Sequence, residues 1–244
     1  MISKQQIKFI NSLKRNKNRI ESNCFIAEGV NIIEDLFKSD FVIHSLFATK
    51  EWLFKNPDKK CTIITDNELK KISYLKSPNQ VLAIVQRQDY VFDALKIKEL
   101  DKIILLDNIS DPGNLGTIIR LCDWFGIEQL VCSNETVDCF NSKVVQASMG
   151  SLTRVAVSYL DLKKYLQNAS VPIFVADMDG LNVYKTKLPD SAVLVLGNEA
   201  NGISDDIKQL VTTKITIPRY GAFQQTESLN VATASAILLS EFRR

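Results

Sequence analysis

The sequence predicts an α/β protein in which a parallel sheet, covered by helices on both faces, follows a smaller N-terminal α/β domain. Three observations predict it. From Asp101 onward, apolar strand-like runs alternate with helical segments, and runs such as KIILL and AVLVL are unbroken Val/Ile/Leu, as suits strands buried on both faces. The first ninety residues carry shorter elements of both periods. Between the two, RQDYVFDALKIKEL (residues 87–100) alternates charge and offers no core-like strand. The expected organisation is a domain over 1–90, a linker over 91–100 and a second domain over 101–244, each domain long enough to bury a core.

In the first domain Ile7, Phe9, Ile10 and Leu13 recur at helical spacing. CFIAEG reads as a short strand, and VNIIEDLFKS as an amphipathic helix with Val30, Ile33, Leu36 and Phe37 on one side. FVIHSLFAT and KKCTIIT read as further strands. TDNELKKIS opens on a capping residue, Thr65 or Asp66, and forms a brief helix. VLAIVQ, apolar and β-branched, closes the domain as a strand. In the second domain KIILLD, LGTIIRLCDWFG, QLVCS, NSKVVQASMG, TRVAVS, LKKYLQNA, PIFVAD, AVLVLG, DIKQLV and KITIP are the successive elements, before a final helix over 229–242. No internal repeat interrupts them.

Composition removes several classes of function. The five cysteines form no C-x-x-C pair and read as reduced thiols. His44 is the single histidine, so a zinc site or a serine–histidine relay in the second domain lacks its usual ligand or base. No apolar run approaches the ~20 residues that span a bilayer. The N-terminal stretch has no apolar core of a secretory signal, and a cytoplasmic protein without metal is expected. The net charge is only +2, yet Lys4, Lys8, Lys14, Arg15, Lys17 and Arg19 fall within the first twenty residues without an acid. Such a run is either a solvated helix face or a track for a phosphate backbone, with Lys14, Arg15, Lys17 and Arg19 as its candidates.

Parallel α/β sheets bind ligands at the carboxyl ends of their strands, which points to the loops after KIILL, AVLVL and KITI. In the first, Pro112, Gly113 and Gly116 bracket Asn114, with Arg120 one helical turn further on. In the second, Gly197 and Gly202 flank Asn198, Glu199 and Asn201. In the third, a glycine-containing loop leads into Ser228, Leu229 and Asn230 and an alanine-rich helix. Each loop alone reads as ordinary turn or cap chemistry. No G-x-G-x-x-G follows the first strand, which speaks against a nicotinamide-dependent oxidoreductase.

Taken jointly, Asn114-x-Gly116-x-x-x-Arg120 with Phe125-Gly126, Leu196-Gly197-Asn198-Glu199 with Gly202-Ile203-Ser204, and Ile217-Pro218 with Ser228-Leu229-Asn230-Val231 resemble the three motifs of the SpoU (TrmH) family of RNA ribose 2′-O-methyltransferases, within the SPOUT superfamily. FIAEGVNIIEDL, residues 25–36, is similar to the L30e-like substrate-binding domain that precedes the catalytic domain in many members. The resemblance implies a trefoil-knotted parallel sheet, a homodimer, S-adenosylmethionine as cofactor and structured RNA as substrate, ribosomal RNA ahead of transfer RNA. It implies catalytic roles for Arg120, Asn114, Glu199, Ser228 and Asn230. The cofactor would meet main-chain groups around Leu196, Gly197, Ile217 and Leu229. The loop 222–226 is longer than the usual family version. A structural ion pair of Arg120 with Glu199 or Asp123 remains the alternative role for that arginine. A catalytically idle RNA-binding protein remains the alternative for the chain.

Overall fold

The computed structural model describes residues 1–90, 102–198, 201–221, 223 and 228–244, so the expected linker lies outside the described residues. The chain divides into two compact units, residues 1–88 with 138–154, and residues 89–137 with 155–244.

In the first unit the basic start is broken rather than continuous. Ser3 caps α1 (Lys4–Ser12) through a capping box with Gln6, and a separate helix α2 (Asn16–Ser22) follows. Four strands, β1 (Cys24–Glu28), β2 (Ile43–Ala48), β3 (Thr62–Ile63) and β4 (Val81–Gln86), form one sheet in the order β1-β4-β2-β3. The KKCTIIT strand shrinks to those two residues of β3, paired only with the end of β2. Helix α3 (Val30–Phe37) buries Ile32, Ile33 and Leu36, so its inner face is turned slightly from the expected one. Between β2 and β3 lies α4 (Lys50–Lys55). Thr65 caps α5 (Asp66–Ile72), with Glu68 completing the box. Helix α7 (Ser142–Ser148), though far along the chain, belongs to this unit: Phe140, two residues before it, places its ring 4.8 Å from that of Phe25 on β1.

The second unit holds β5 (Lys102–Asp107), β6 (Gln129–Cys132), β7 (Ala156–Tyr159), β8 (Ile173–Asn182), β9 (Ala192–Gly197) and β10 (Thr213–Thr216). They form a single sheet in the order β10-β8-β9-β5-β6-β7, and every adjacent pair is parallel. Ile103 to Leu106 of β5 and Val193 to Leu196 of β9 are all buried, which explains why those segments read as unbroken apolar runs. Burying each such side chain contributes about 1.5–3 kcal/mol, so a charge at Leu105 would unseat the centre of the sheet. Helices α6 (Pro112–Trp124), α8 (Leu162–Gln167), α9 (Asp205–Lys208) and α10 (Val231–Arg243) complete the unit. Arg243 fastens α10 to the end of α6, donating to the carbonyls of Phe125 at 2.8 Å and Gly126 at 3.0 Å. Among the described residues no helix is long and apolar enough to cross a membrane.

The chain runs from β5 outward to β6 and β7, returns to β8 on the far side, and then fills the gap with β9. That reversal opens a crevice beyond the carboxyl ends of β8, β9 and β10.

Candidate active site

A cavity of about 530 Å³ occupies this crevice, within the range of roughly 300–1,000 Å³ usual for small-molecule sites. Its floor is apolar, made by Leu196, Ile203, Ile215 and Leu238, and its rim carries main-chain groups of Gly197, Gly202 and Ile217. Leu196, Gly197, Ile217 and Leu229, flagged from separate loops, all line this one cavity, as does Ser228. The close approach of backbone at Gly197 is real: a Cβ there would lie 2.5 Å from the carbonyl carbon of Gly202.

The loop after β9 is stitched to the end of β5. The backbone of Asn198 and Gly202 exchanges two hydrogen bonds, at 3.0 and 2.8 Å. The Asn198 side chain donates to the carbonyl of Asn108 at 2.8 Å and accepts from the N–H of Asn201 at 3.1 Å. Asp107, a buried carboxylate at the last position of β5, accepts from the backbone N–H of Ser204 at 2.7 Å. Sequence reading missed Asp107; the only signal was an acid closing an apolar run. It also missed Asp177, which lines the cavity and pairs with Lys214 at 2.9 Å. The hydrogen bond from Lys214 holds the Asp177 carboxyl below the ordinary range, so a negative charge stands at the cavity wall at neutral pH.

Asn114 and Asn230 meet. Asp111 caps α6 and accepts from the N–H of Asn114 at 2.8 Å, fixing Asn114 in the first turn. Asn230 caps α10, and its Nδ2 donates to Asn114 Oδ1 at 2.9 Å. The amino ends of two thirteen-residue helices are thereby brought together, an arrangement that favours negative charge nearby. The cap of α10 is Asn230, so Ser228 does not serve in that role. Arg120 stands exposed on α6, and its side chain makes no hydrogen bond or ion pair with a described residue. Glu199 lies outside the described residues, as do Ala222 and Gln224 to Thr226 of the long loop.

The basic start separates its candidates. Lys14, Arg15 and Lys17 are exposed. Arg19 is not available to RNA: only 3% exposed, it donates through Nε and Nη2 to Asp138 at 2.8 and 2.7 Å, and through Nη1 to the carbonyls of Leu13 and Lys14. The guanidinium fork, which made it a phosphate candidate, is the feature that suits it to this buried pairing. Exposed Lys70 and Lys71 at the end of α5 were not foreseen; Asn11 of α1 donates to the carbonyl of Lys71 at 3.1 Å, which ties the two helices. Among the described residues no cluster of His, Cys, Asp or Glu could hold a metal ion.

Residues 101–240 match the model of the SpoU rRNA Methylase family, and residues 4–83 match that of the MRM3-like substrate binding domain. The chain is 27% identical to the 23S rRNA (guanosine(2553)-2′-O)-methyltransferase RlmP of Bacillus subtilis, across 98% of this chain and 96% of that protein. It superimposes on a TrmH-family protein of Porphyromonas gingivalis with a TM-score of 0.85 and 34% identity, covering 100% of this chain and 98% of the other. The AdoMet-bound rRNA methyltransferase of Sinorhizobium meliloti shares the fold, with a TM-score of 0.85 at 24% identity over 100% of this chain and 96% of that one.

Proposed function

The chain belongs to the SpoU rRNA methylase family, and we propose on that premise that it methylates a ribose 2′-hydroxyl of ribosomal RNA. The observation that carries the reading is the convergence of residues from the loops after β9 and β10 on one cavity, with the amino end of α10 joined to that of α6 through Asn230 and Asn114. S-adenosylmethionine, when bound, would supply a sulfonium methyl to the ribose oxygen and leave as its neutral thioether, with the hydroxyl proton passing to solvent. The cavity suits that molecule, with an apolar floor for the adenine, main-chain groups for its edges, and the Asp177 carboxylate to favour its cationic end.

Arg120 is assigned the oxygen. A guanidinium does not give up a proton readily, so it orients an RNA phosphate and stabilises the developing oxyanion rather than acting as the base. Its exposed position, with no ion pair to a described residue, supports this role over the ion pair with Asp123, while Glu199 lies outside the described residues. The domain over 1–90 is assigned to grip RNA through Lys14, Arg15 and Lys17, and the domain over 101–244 to methyl transfer. Glu199 and Ser228 are assigned to the nucleotide side of the site. A trefoil knot near the C-terminus is assigned from the family alone, while Gly180, where a Cβ would lie 2.5 Å from the Ile215 backbone, lets β8 and β10 pack closely. A cytoplasmic homodimer completes the reading; Trp124, 84% exposed at the end of α6, is an apolar side chain that a second copy would cover.

Ribose-methylation mapping of total RNA from cells with and without the gene tests the function. One ribosomal 2′-O-methyl mark should vanish with the gene. A lost mark in transfer RNA instead would move the substrate, and no lost mark would favour an idle RNA-binding protein.

A further inference from the structure

One wall of the cavity is made by an irregularity in β8. Val175 faces Lys214 of β10, and Leu181 faces the next residue, Ile215, so residues 176–180 bulge out between two consecutive residues of the neighbouring strand. The bulge closes at Gly180, where a side chain would run into the Ile215 backbone. It delivers Ala176, Asp177 and Met178 to the cavity. Among the described residues Asp177 is the only acid in the lining, where the other charged side chains are Lys208 and Arg219. Asp177 Oδ2 meets the ammonium of Lys214 at 2.9 Å, and Oδ1 accepts from the backbone N–H of Asp179 at 3.4 Å. An ionised carboxylate offers about four acceptor positions, so Asp177 keeps capacity for a further donor.

The cofactor of the reading above carries two cationic centres, a sulfonium and the α-ammonium of its amino-acid end. A sulfonium has no hydrogen to donate, whereas an ammonium is a donor without acceptor capacity. The apolar floor cannot serve that end, because an ammonium taken from water without an acceptor is costly. Resting on the methyltransferase reading and deepening it, we infer that Asp177 is a specificity-determining residue: its carboxylate accepts a hydrogen bond from the α-ammonium of S-adenosylmethionine. The side chain is 23% exposed, so a charge-assisted bond there is screened less than one at an open surface. Lys214, 45% exposed, shares the same carboxylate and offsets part of its charge.

Calorimetry on the full-length protein with three ligands separates the two cationic centres. S-adenosylmethionine has both, S-adenosylhomocysteine keeps only the ammonium, and 5′-methylthioadenosine has neither. Asp177→Asn preserves the shape and removes the charge. It should weaken the first two ligands about tenfold each, the low end for a hydrogen bond to a charged group, and leave the third unchanged. Lys214→Met removes the ion pair from its other side and frees the carboxylate, so it should weaken none of the three. A loss confined to S-adenosylmethionine would put the sulfonium at Asp177 and overturn the inference. An equal loss of all three ligands, or the same losses in Lys214→Met, would make the pair a structural bridge between β8 and β10 and overturn it as well. Parental affinities in Asp177→Asn would also overturn it. A parent protein that binds none of the three would instead fail the methyltransferase reading itself.

Discussion

The basic start of the chain and the carboxyl edge of the parallel sheet both carry signals for RNA chemistry, and they fare differently once folded. At the sheet edge, residues flagged in separate loops line a single cavity or hydrogen-bond to one another. In the basic start, four candidates of like charge split, three remaining exposed and Arg19 turning inward to Asp138. Arg19 and Arg120 show the contrast best: the same side chain, one with its fork filled by protein oxygens and one held exposed on a helix. A strand end feeding a helix constrains where its residues go, because the sheet fixes both. A run of charge constrains only composition, and nothing in it says which side chain will find a buried partner.

The largest effect expected from this contrast concerns stability. Arg19→Ala leaves the Asp138 carboxylate, 12% exposed, without its cation, and removing one partner of a buried pair costs about 3–5 kcal/mol. Urea unfolding followed by far-ultraviolet circular dichroism should show a lower midpoint; an unchanged midpoint would mean that Arg19 is dispensable to the fold and return it to the list of RNA contacts. Next comes Gly197→Ala, whose methyl would sit 2.5 Å from the backbone of Gly202. The loop must move, and calorimetry should find S-adenosylmethionine binding weakened at least tenfold, on the scale of ~1.4 kcal/mol or more. Parental affinity would place the cofactor elsewhere. Smallest is the joint change of Lys14, Arg15 and Lys17 to Ser with Arg19 retained. RNA affinity should fall, and the slope of its logarithm against salt should flatten by roughly two, since about 0.7–0.9 of a counterion is released per phosphate contact. Cofactor affinity should not move, and equal RNA affinity in mutant and parent would reduce this surface to a solvated face.

Much of the fold is legible in the sequence because its signals are local. The Val/Ile/Leu runs of β5 and β9 announce doubly covered strands, and the capping box of α5 shows in Thr65 and Glu68. What is not legible depends on neighbours. Asp107 matters because β9 lies beside β5, which brings Ser204 within reach of it. Asp177 matters because β8 continues to Asn182 beside β10, where PIFVAD alone suggested an earlier stop. The break between α1 and α2 was hidden by apolar spacing that runs on to Leu13. Ser228 and Asn230 are both capping types two residues apart, and only the helix start decides between them.

The central claim is that the sheet edge transfers a methyl group with Arg120 at the reacting oxygen. Single-turnover transfer from S-adenosylmethionine to RNA, compared for the parent, Arg120→Ala and Arg120→Lys, tests it most directly. Lysine keeps the charge but loses the planar fork, so both variants should lose at least ~100-fold, as expected for a preorganised oxyanion donor. Cofactor affinity and melting temperature should stay at the parental values. Transfer at the parental rate by Arg120→Ala would contradict the account, and so would a variant that unfolds, because Arg120 would then be a structural residue.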